Sequence, residues 1–344
     1  MIKKKNILIT GAAGFIGSAL SRKISTFKNV NICLIDNLSY AGSIRNIKII
    51  KKLPNVHFKK IDISIRKELK NLLTTFKPNL IFHLAAESHV DRSISNPKKF
   101  INTNIIGTYN LLEELRNYYK KDPNFRFIHI STDEVYGDLP LKREKNDSFK
   151  ETSQYNPNSP YSSSKASSDH LVNAWFKTFN LPTIITNCSN NYGPFQYPEK
   201  LIPLITINAL NGKKLPVYGN GKNIRDWIYV DDHIDALIKV AKNGLIGEKY
   251  NIGGLNEITN IEIVNLICEF LDIIFPTTRN SLVNNNLKSY KSLISFVNDR
   301  PGHDKRYSVD ISKIQKELNW KPKTNFNYGL KKTIEWYVKN HKLL

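Results

Sequence analysis

The chain has 344 residues, of which 40% are apolar, 24% charged and 10% aromatic; that globular balance excludes a disordered chain, and the length calls for one major fold with an appended lobe. Its formal charge is +21, but the 11 Arg and 40 Lys are scattered, with only short groups such as Lys3 to Lys5; without an aromatic-interleaved basic stripe this argues against nucleic-acid binding and agrees with an anionic small ligand. No run reaches the ~20 apolar residues of a membrane span, and the start MIKKKNILITGAAGFIG leads into a strand-like run where a signal peptide would have its apolar core, so a cytoplasmic protein without a membrane partner is expected.

The first 250 residues alternate short β-rich apolar runs with helix-like segments, the pattern of an α/β fold with a parallel sheet covered on both faces. Strands are expected at Asn6 to Thr10, Asn31 to Asp36, Val56 to Lys60, Leu80 to Leu84, Arg126 to Ser131, Thr183 to Cys188 and Lys249 to Ile252. Gly11-Ala12-Ala13-Gly14-Phe15-Ile16-Gly17 follows the first strand and opens a helix, the context of a dinucleotide loop. Gly11 serves the sharp turn, Gly14 the approach of backbone to pyrophosphate, and Gly17 close packing of helix on sheet. The spacing is G-x-x-G-x-x-G, and a glycine-rich turn without ligand is the alternative. Asp36, ending the second strand, is placed to accept both ribose hydroxyls and repel a 2′-phosphate, favouring NAD over NADP. Asp62-Ile63 follows the third strand, near adenine or as a helix cap.

Cys33, Cys188 and Cys268 are too few and scattered for disulfides and read as small buried hydrophobes. His83 and His89 lack a carboxylate or Cys to complete a metal cluster. Asn96-Pro97 starts the clearest amphipathic helix, with Ile101, Ile105, Leu112, Leu115 and Tyr119 on one stripe and an end near Lys120. Ser131-Thr132-Asp133-Glu134-Val135-Tyr136-Gly137 leaves a strand end, where paired carboxyls serve as acid and base if their environments separate them, or are solvated charge. Tyr161 and Lys165 sit at i and i+4 of a helix, the ammonium lowering the phenol toward a useful base. From Leu181 on, Pro194, Pro198, Pro203, Pro216, Gly219 and Gly221 break the rhythm and announce a second lobe. Asn280 to Ser292, rich in Asn, Lys and Ser, reads as a surface loop.

Taken together, the glycine loop, HLAAESHVDRSI (His83 to Ile94), STDEVYG (Ser131 to Gly137), YSSSKASSDHLV (Tyr161 to Val172), NCSNNYGPFQYPEKLIPL (Asn187 to Leu204), LPVYGNGKNIRDWIYVDDH (Leu215 to His233), YNIGG (Tyr250 to Gly254) and DRPGHDKRY (Asp299 to Tyr307) resemble the extended short-chain dehydrogenases/reductases, specifically the TDP-glucose 4,6-dehydratases of deoxysugar (rhamnose-type) biosynthesis. The Asp-Glu pair of STDEVYG separates that group from related 4-epimerases. The resemblance implies a Rossmann-type doubly wound sheet over 1–180 with returning segments near 225–255, and a smaller, interleaved sugar-nucleotide lobe over 181–344. It implies tightly bound NAD, a TDP-glucose substrate and a homodimer packed through helices that include the one from Tyr161, with Val172, Trp175, Phe176 and Phe179.

The roles it implies are these. Tyr161, with Lys165, removes the C4 hydroxyl proton; Glu134 takes the C5 proton, Asp133 protonates the departing C6 hydroxyl, and Thr132 bonds the sugar near O4. Cofactor contacts fall on Gly11, Gly14, Phe15, Ile16, Gly17, Asp36, Asn37, Leu38, Ser39, Asp62, Ile63, Leu84, Ala85, Ala86, Glu87, Ser88, Thr103, Tyr161, Lys165 and Asn191. Substrate contacts fall on Ser88, Thr132, Asn190, Lys200, Leu201, Pro216, Val217, Tyr218, Arg225, Asn260, Asp299, Arg300, Pro301, Gly302 and His303. Arg225 and Arg300 suit a diphosphate, with a structural pair to Asp226 or Asp231 as the alternative for Arg225. The rival activities are a UDP-glucose 4,6-dehydratase and a 4-epimerase or decarboxylase sharing Tyr161 and Lys165.

Overall fold

The computed structural model describes residues 5–119, 124–142, 147–283 and 287–341; Lys3, Lys4 and the expected helix end at Lys120 lie outside them. The seven expected runs are strands of one parallel sheet, in the order Lys249–Ile252, Thr183–Cys188, Arg126–Thr132, Leu80–His83, Lys5–Thr10, Val30–Asp36, Val56–Lys60. Alternate side chains enter opposite layers. Ile7 and Ile9 pack with Ile32, Leu34 and Leu20, whereas Leu8 packs with Cys33, Ile35, Leu72 and Leu112. Strands apolar on both faces require helices on both faces, and each fully buried Leu or Ile contributes about 1.5–3 kcal/mol. The three cysteines are free and buried.

Strand order reverses beside Lys5–Thr10, which has Val30–Asp36 on one side and Leu80–His83 on the other. Connections diverge from that switch point and leave a crevice at the strands' C-terminal ends.

After Cys188 the chain builds a second core from Tyr192, Ile202, Leu215, Trp227, Ile263, Ile267 and Leu330. Its sheets are Asn190–Tyr192 with Ile224–Tyr229 and Glu257–Thr259, and Leu215–Tyr218 with Ile294–Val297. Between these pieces the Val230–Asn243 helix returns Ile234, Leu237 and Val240 to the first core. The two cores therefore interleave along the chain.

Two expectations are corrected here. The helix from Pro97 begins as expected, but Ile101–Ile106 winds as a π-helix before regular winding resumes over Gly107–Tyr118. The wider turn rotates the stripe, leaving Ile101 48% exposed and Ile105 half-buried, while Asn104 turns inward. The Asn104 amide donates to Glu87 O at 3.0 Å and Ser164 Oγ at 2.8 Å and accepts from Glu87 N at 2.8 Å. A polar anchor, not apolar spacing, sets that turn. Nor is Asn280 to Ser292 a plain surface loop. Asn280, Val283 and Tyr290 are buried, Asn280 Nδ2 donating to Leu210 O at 2.9 Å and the Tyr290 hydroxyl to Phe275 O at 2.9 Å. Asn284 to Asn286 lie outside the described residues. Among the described residues no helix is long and apolar enough to cross a membrane, and no cluster of His, Cys, Asp and Glu fits a metal ion.

Candidate active site

Loops leaving the strand ends at the switch point enclose a cavity of about 260 Å³. Gly11 turns there at φ +65°, and a Cβ on Gly17 would stand 2.1 Å from Gly11 O. Only glycine permits that contact of helix on loop. The Phe15–Ser25 helix begins with no side-chain cap hydrogen bond at Gly14, so its first N–H groups and positive dipole end remain for an anion. Asp36 Oδ2 accepts from Ala13 N at 2.9 Å and Oδ1 from Leu38 N at 2.8 Å. The carboxylate thus fixes the glycine loop while each oxygen keeps a further lone pair.

Gly11, Gly14, Phe15, Ile16, Gly17, Asp36, Asn37, Ser39, Ile63, Leu84 to Ser88, Thr103, Tyr161, Lys165 and Asn191 all line the cavity, together with Thr132, Asp133, Glu134, Asn190 and Lys200. Leu38 and Asp62 do not. Leu38 occupies the left-handed turn at φ +56°. Asp62 accepts from Ser64 N, Ser64 Oγ and Asn37 Nδ2 at 2.8, 2.7 and 3.1 Å, a local turn ahead of the Arg66–Phe76 helix that leaves the carboxylate engaged.

Thr132 ends the Arg126–Thr132 strand and caps the short turn Asp133–Tyr136, its hydroxyl accepting from Glu134 N at 3.3 Å. That cap holds the two carboxyls in different surroundings. Asp133 is 1% exposed, with Oδ2 unpartnered among the described residues. Burial, then the Glu134 and Asp226 charges, push its pKa well above the usual carboxyl range. Glu134 is half-buried; burial raises its pKa too, but Lys200, Arg300 and Arg225 oppose the rise. Burial thus favours the neutral form of Asp133, while three cations oppose the same rise at Glu134.

Tyr161 and Lys165 lie on the Pro160–Phe179 helix, which starts with a Ser159/Ser162 capping box. Both are buried. The Lys165 ammonium donates to Ile130 O at 2.9 Å, and burial lowers its pKa, with Asp169 opposing. The expected lowering of the Tyr161 phenol is not found: burial first, then the Glu134 charge, raise it well above the ordinary tyrosine value. Beneath the pair, Asp169 Oδ2 accepts from Ser131 Oγ at 2.8 Å, Tyr155 OH at 2.9 Å and Asn187 Nδ2 at 3.2 Å.

The remaining sequence-derived substrate residues sit on the lobe side, outside the cavity lining. Leu201 opens the Leu201–Leu210 helix, Asn260 opens Asn260–Ile274, and Pro216, Val217 and Tyr218 form a strand beside Ile294–Val297. Arg300 Nη1 and Tyr218 OH both donate to Asp91, at 3.2 and 3.1 Å, while Arg300 Nε is buried and unpartnered among the described residues. His303 Nδ1 lies 2.5 Å from Asp299 Oδ1 in the Asp299 to His303 loop. Arg225 pairs with neither Asp226 nor Asp231. Its guanidinium donates to Ile224 O and Asp304 O, both at 2.8 Å, and stacks 4.3 Å from the Tyr307 ring centroid, fixing that loop against the lobe.

His83 is structural, its ring nitrogens 2.8 and 3.0 Å from Thr10 Oγ1 and Thr108 Oγ1. Sequence reasoning missed Cys188, Ser189, Tyr197 and Glu199 of the lining. The end of the Thr183–Cys188 strand signals the first two; a turn in the irregular region hides the others.

A family model described as GDP-mannose 4,6 dehydratase matches residues 8–333. The dTDP-glucose 4,6-dehydratase of Shigella flexneri is 52% identical over 97% of this chain and 93% of that protein. The dTDP-glucose 4,6-dehydratase from Bacillus anthracis in complex with NAD superimposes at TM-score 0.84 with 43% identity and 98% of each chain covered. The corresponding Streptomyces venezuelae enzyme, with NAD and TYD bound, superimposes at TM-score 0.87 with 38% identity and the same coverage.

Proposed function

Because the chain belongs to the dTDP-glucose 4,6-dehydratase family of the extended short-chain dehydrogenases/reductases, we propose that it is a hydro-lyase converting TDP-glucose to TDP-4-keto-6-deoxyglucose with NAD, a step of deoxysugar biosynthesis. The observation that carries the reading is the divided pair Asp133 and Glu134 in the same cavity as Tyr161 and the glycine loop. Oxidation and re-reduction at C4, as in epimerisation, needs no second acid and base; elimination across C5–C6 needs both.

The cavity fits the cofactor. The uncapped helix at Gly14 suits its pyrophosphate and Asp36 its ribose, and Asn190 Oδ1 is buried without a partner among the described residues. When bound, NAD would supply the acceptor for the C4 hydride and the donor that returns it to C6. Tyr161 takes the C4 hydroxyl proton, helped by the Lys165 cation one turn away, and Thr132 orients that oxygen. The C4 ketone acidifies C5–H, Glu134 takes that proton, and Asp133 delivers its own to the C6 hydroxyl, which leaves as water. Glu134 then returns the proton to C5. Arg225, Arg300 and Lys200 lend the lobe mouth positive field for the substrate diphosphate. The sheet-bearing part holds the cofactor and the lobe holds the sugar nucleotide.

A homodimer in the cytoplasm belongs to the same reading. Exposed Ile94, Ile101 and Ile106 support it, as do the half-buried Trp175, Phe176 and Phe179 of the Pro160–Phe179 helix; Val172 is fully buried and belongs to the monomer core.

The deciding experiment follows one atom. Substrate deuterated at C4 should yield product deuterated at C6, assayed by mass spectrometry; label lost to solvent or recovered in free reduced cofactor, or a product retaining oxygen at C6, would overturn the proposal. Asp36→Ala should weaken NAD binding more than NADP binding, since a ribose acceptor and a charge repelling 2′-phosphate go together. Isothermal titration with both cofactors checks this, and equal losses count against it.

A further inference from the structure

We propose that Glu199 is the keystone of a three-segment clasp across the cofactor cavity, and that this clasp sets how slowly NAD exchanges. The inference rests on the cofactor reading above. Three segments distant in sequence contribute to it, and each also lines the cavity: the loop after Asp36 through Ser39 and Gly42, the segment after His83 through Glu87 and Ser88, and the turn before Leu201 through Tyr197 and Glu199. Side chains join them. The Tyr40 hydroxyl donates to Glu199 Oε1 at 3.0 Å. Arg92 Nε stands 3.4 Å from Glu199 Oε2, and the Arg92 guanidinium lies over the Tyr40 ring at 3.8 Å. His89 Nε2 approaches the same Oε2 at 4.0 Å, and the Tyr40 and Tyr197 rings meet edge to face at 5.7 Å.

A second tie reinforces the first. The Lys200 ammonium donates to Ser88 O at 2.7 Å, and Lys99, whose ammonium is 5.4 Å from the Tyr40 ring centroid, pairs with Glu87 at 2.9 Å. These bonds contribute nothing to the winding of the elements that carry them, because each crosses between elements. Glu199 is nevertheless 12% exposed and Glu87 3%. Carboxylates this buried are retained at a desolvation cost, and the side chains of other segments that offset it here are Tyr40 and Arg92 for Glu199 and Lys99 for Glu87. A reaction that removes a hydride and returns it to the same sugar requires that the reduced cofactor stay through both steps. Cofactor departure between Asp36, Ser88 and Glu199 requires the Tyr40 and Arg92 contacts to part.

The test measures exchange and affinity separately. Pre-bound radiolabelled NAD is chased with excess unlabelled NAD, and equilibrium affinity is titrated, for wild type, Tyr40→Phe, Arg92→Ala and Glu199→Gln. Tyr40 and Arg92 lie outside the cavity lining, so their loss removes the clasp without removing a cofactor contact. Exchange should quicken about tenfold or more in Arg92→Ala and in Glu199→Gln, as expected when a charge-assisted contact is broken. Affinity should change by less than the exchange rate, because loss of a clasp speeds entry and departure together. Tyr40→Phe should show the same pattern in smaller degree and, lacking only a hydroxyl, keeps the fold if Glu199→Gln does not. Unchanged exchange in Arg92→Ala and Tyr40→Phe would overturn the clasp; so would faster release matched by an equal loss of affinity, which would make these residues ordinary binding contacts. A wild type that holds no NAD would overturn the cofactor reading itself.

Discussion

Tyr161→Phe is expected to leave a folded protein that forms no reduced cofactor from TDP-glucose, with turnover down by at least about 10²-fold, the lower end of what a positioned base contributes. Only the phenol oxygen is removed. The ring keeps its edge contact with Phe100 at 6.3 Å between centroids and its place beside Val90, and the Thr132 hydroxyl keeps Glu134 N and Asp133 as partners. Without the oxygen the C4 hydroxyl has no acceptor for its proton, so the reaction halts before its first hydride transfer. Because burial and the Glu134 charge raise the phenol pKa, the base form grows as pH rises toward that value, and the wild-type rate of C4 oxidation should climb with pH in stopped-flow absorbance. On the proposed role of the Lys165 cation, Lys165→Met should move this limb to higher pH. Reduced cofactor formed at the wild-type rate in Tyr161→Phe would remove Tyr161 from the mechanism.

Most of the frame was legible because period and punctuation agreed there. Asn6 to Thr10, Asn31 to Asp36 and the five later runs are short and apolar, and strands buried on both faces have no alternative composition. The glycine loop was readable for a steric reason, since the Gly17 contact with Gly11 O tolerates no Cβ. That Glu134 and Tyr161 line the cavity was readable because strand ends and i, i+4 pairs are local geometry. What failed was long-range. Asn104 overrides the apolar stripe of its helix through bonds to Glu87 and Ser164, and Asn280 and Tyr290 turn a polar stretch inward through bonds to the Leu210 and Phe275 carbonyls. Such partners leave no periodic trace. Tyr40 and Glu199 are 159 residues apart, and neither has a neighbour in sequence that announces the other. The lowered phenol pKa failed similarly: i, i+4 spacing establishes that Lys165 is near, but burial, the larger influence, comes from the whole surrounding fold.

The same burial makes the Asp133–Glu134 pair the sharpest test of dehydration. Asp133 is driven toward its neutral form by burial and by two neighbouring carboxyls, which suits it to donate, and this donor is lost as pH rises through its elevated pKa. Glu134 faces Lys200, Arg300 and Arg225, which suits it to accept. In Glu134→Gln the amide keeps the size of the carboxyl, and the bond from Glu134 N to the Thr132 hydroxyl at 3.3 Å is untouched, so the turn that carries Asp133 should persist. The amide cannot accept the C5 proton. Tyr161 is unaltered, and loss of the Glu134 charge removes one of the influences that raise its pKa, so C4 oxidation should proceed as well as before or faster. The enzyme should therefore stop half-way, with the near-ultraviolet band of reduced cofactor growing to a stable plateau after mixing with TDP-glucose. Release of 4-keto-6-deoxysugar should fall by about 10²- to 10⁴-fold, the range for loss of a general base. The C5 proton, followed in deuterium oxide, should not exchange during the plateau. Full dehydration without build-up of reduced cofactor would show that Glu134 is not the base, and exchange at C5 in the variant would assign that proton to another group in the cavity.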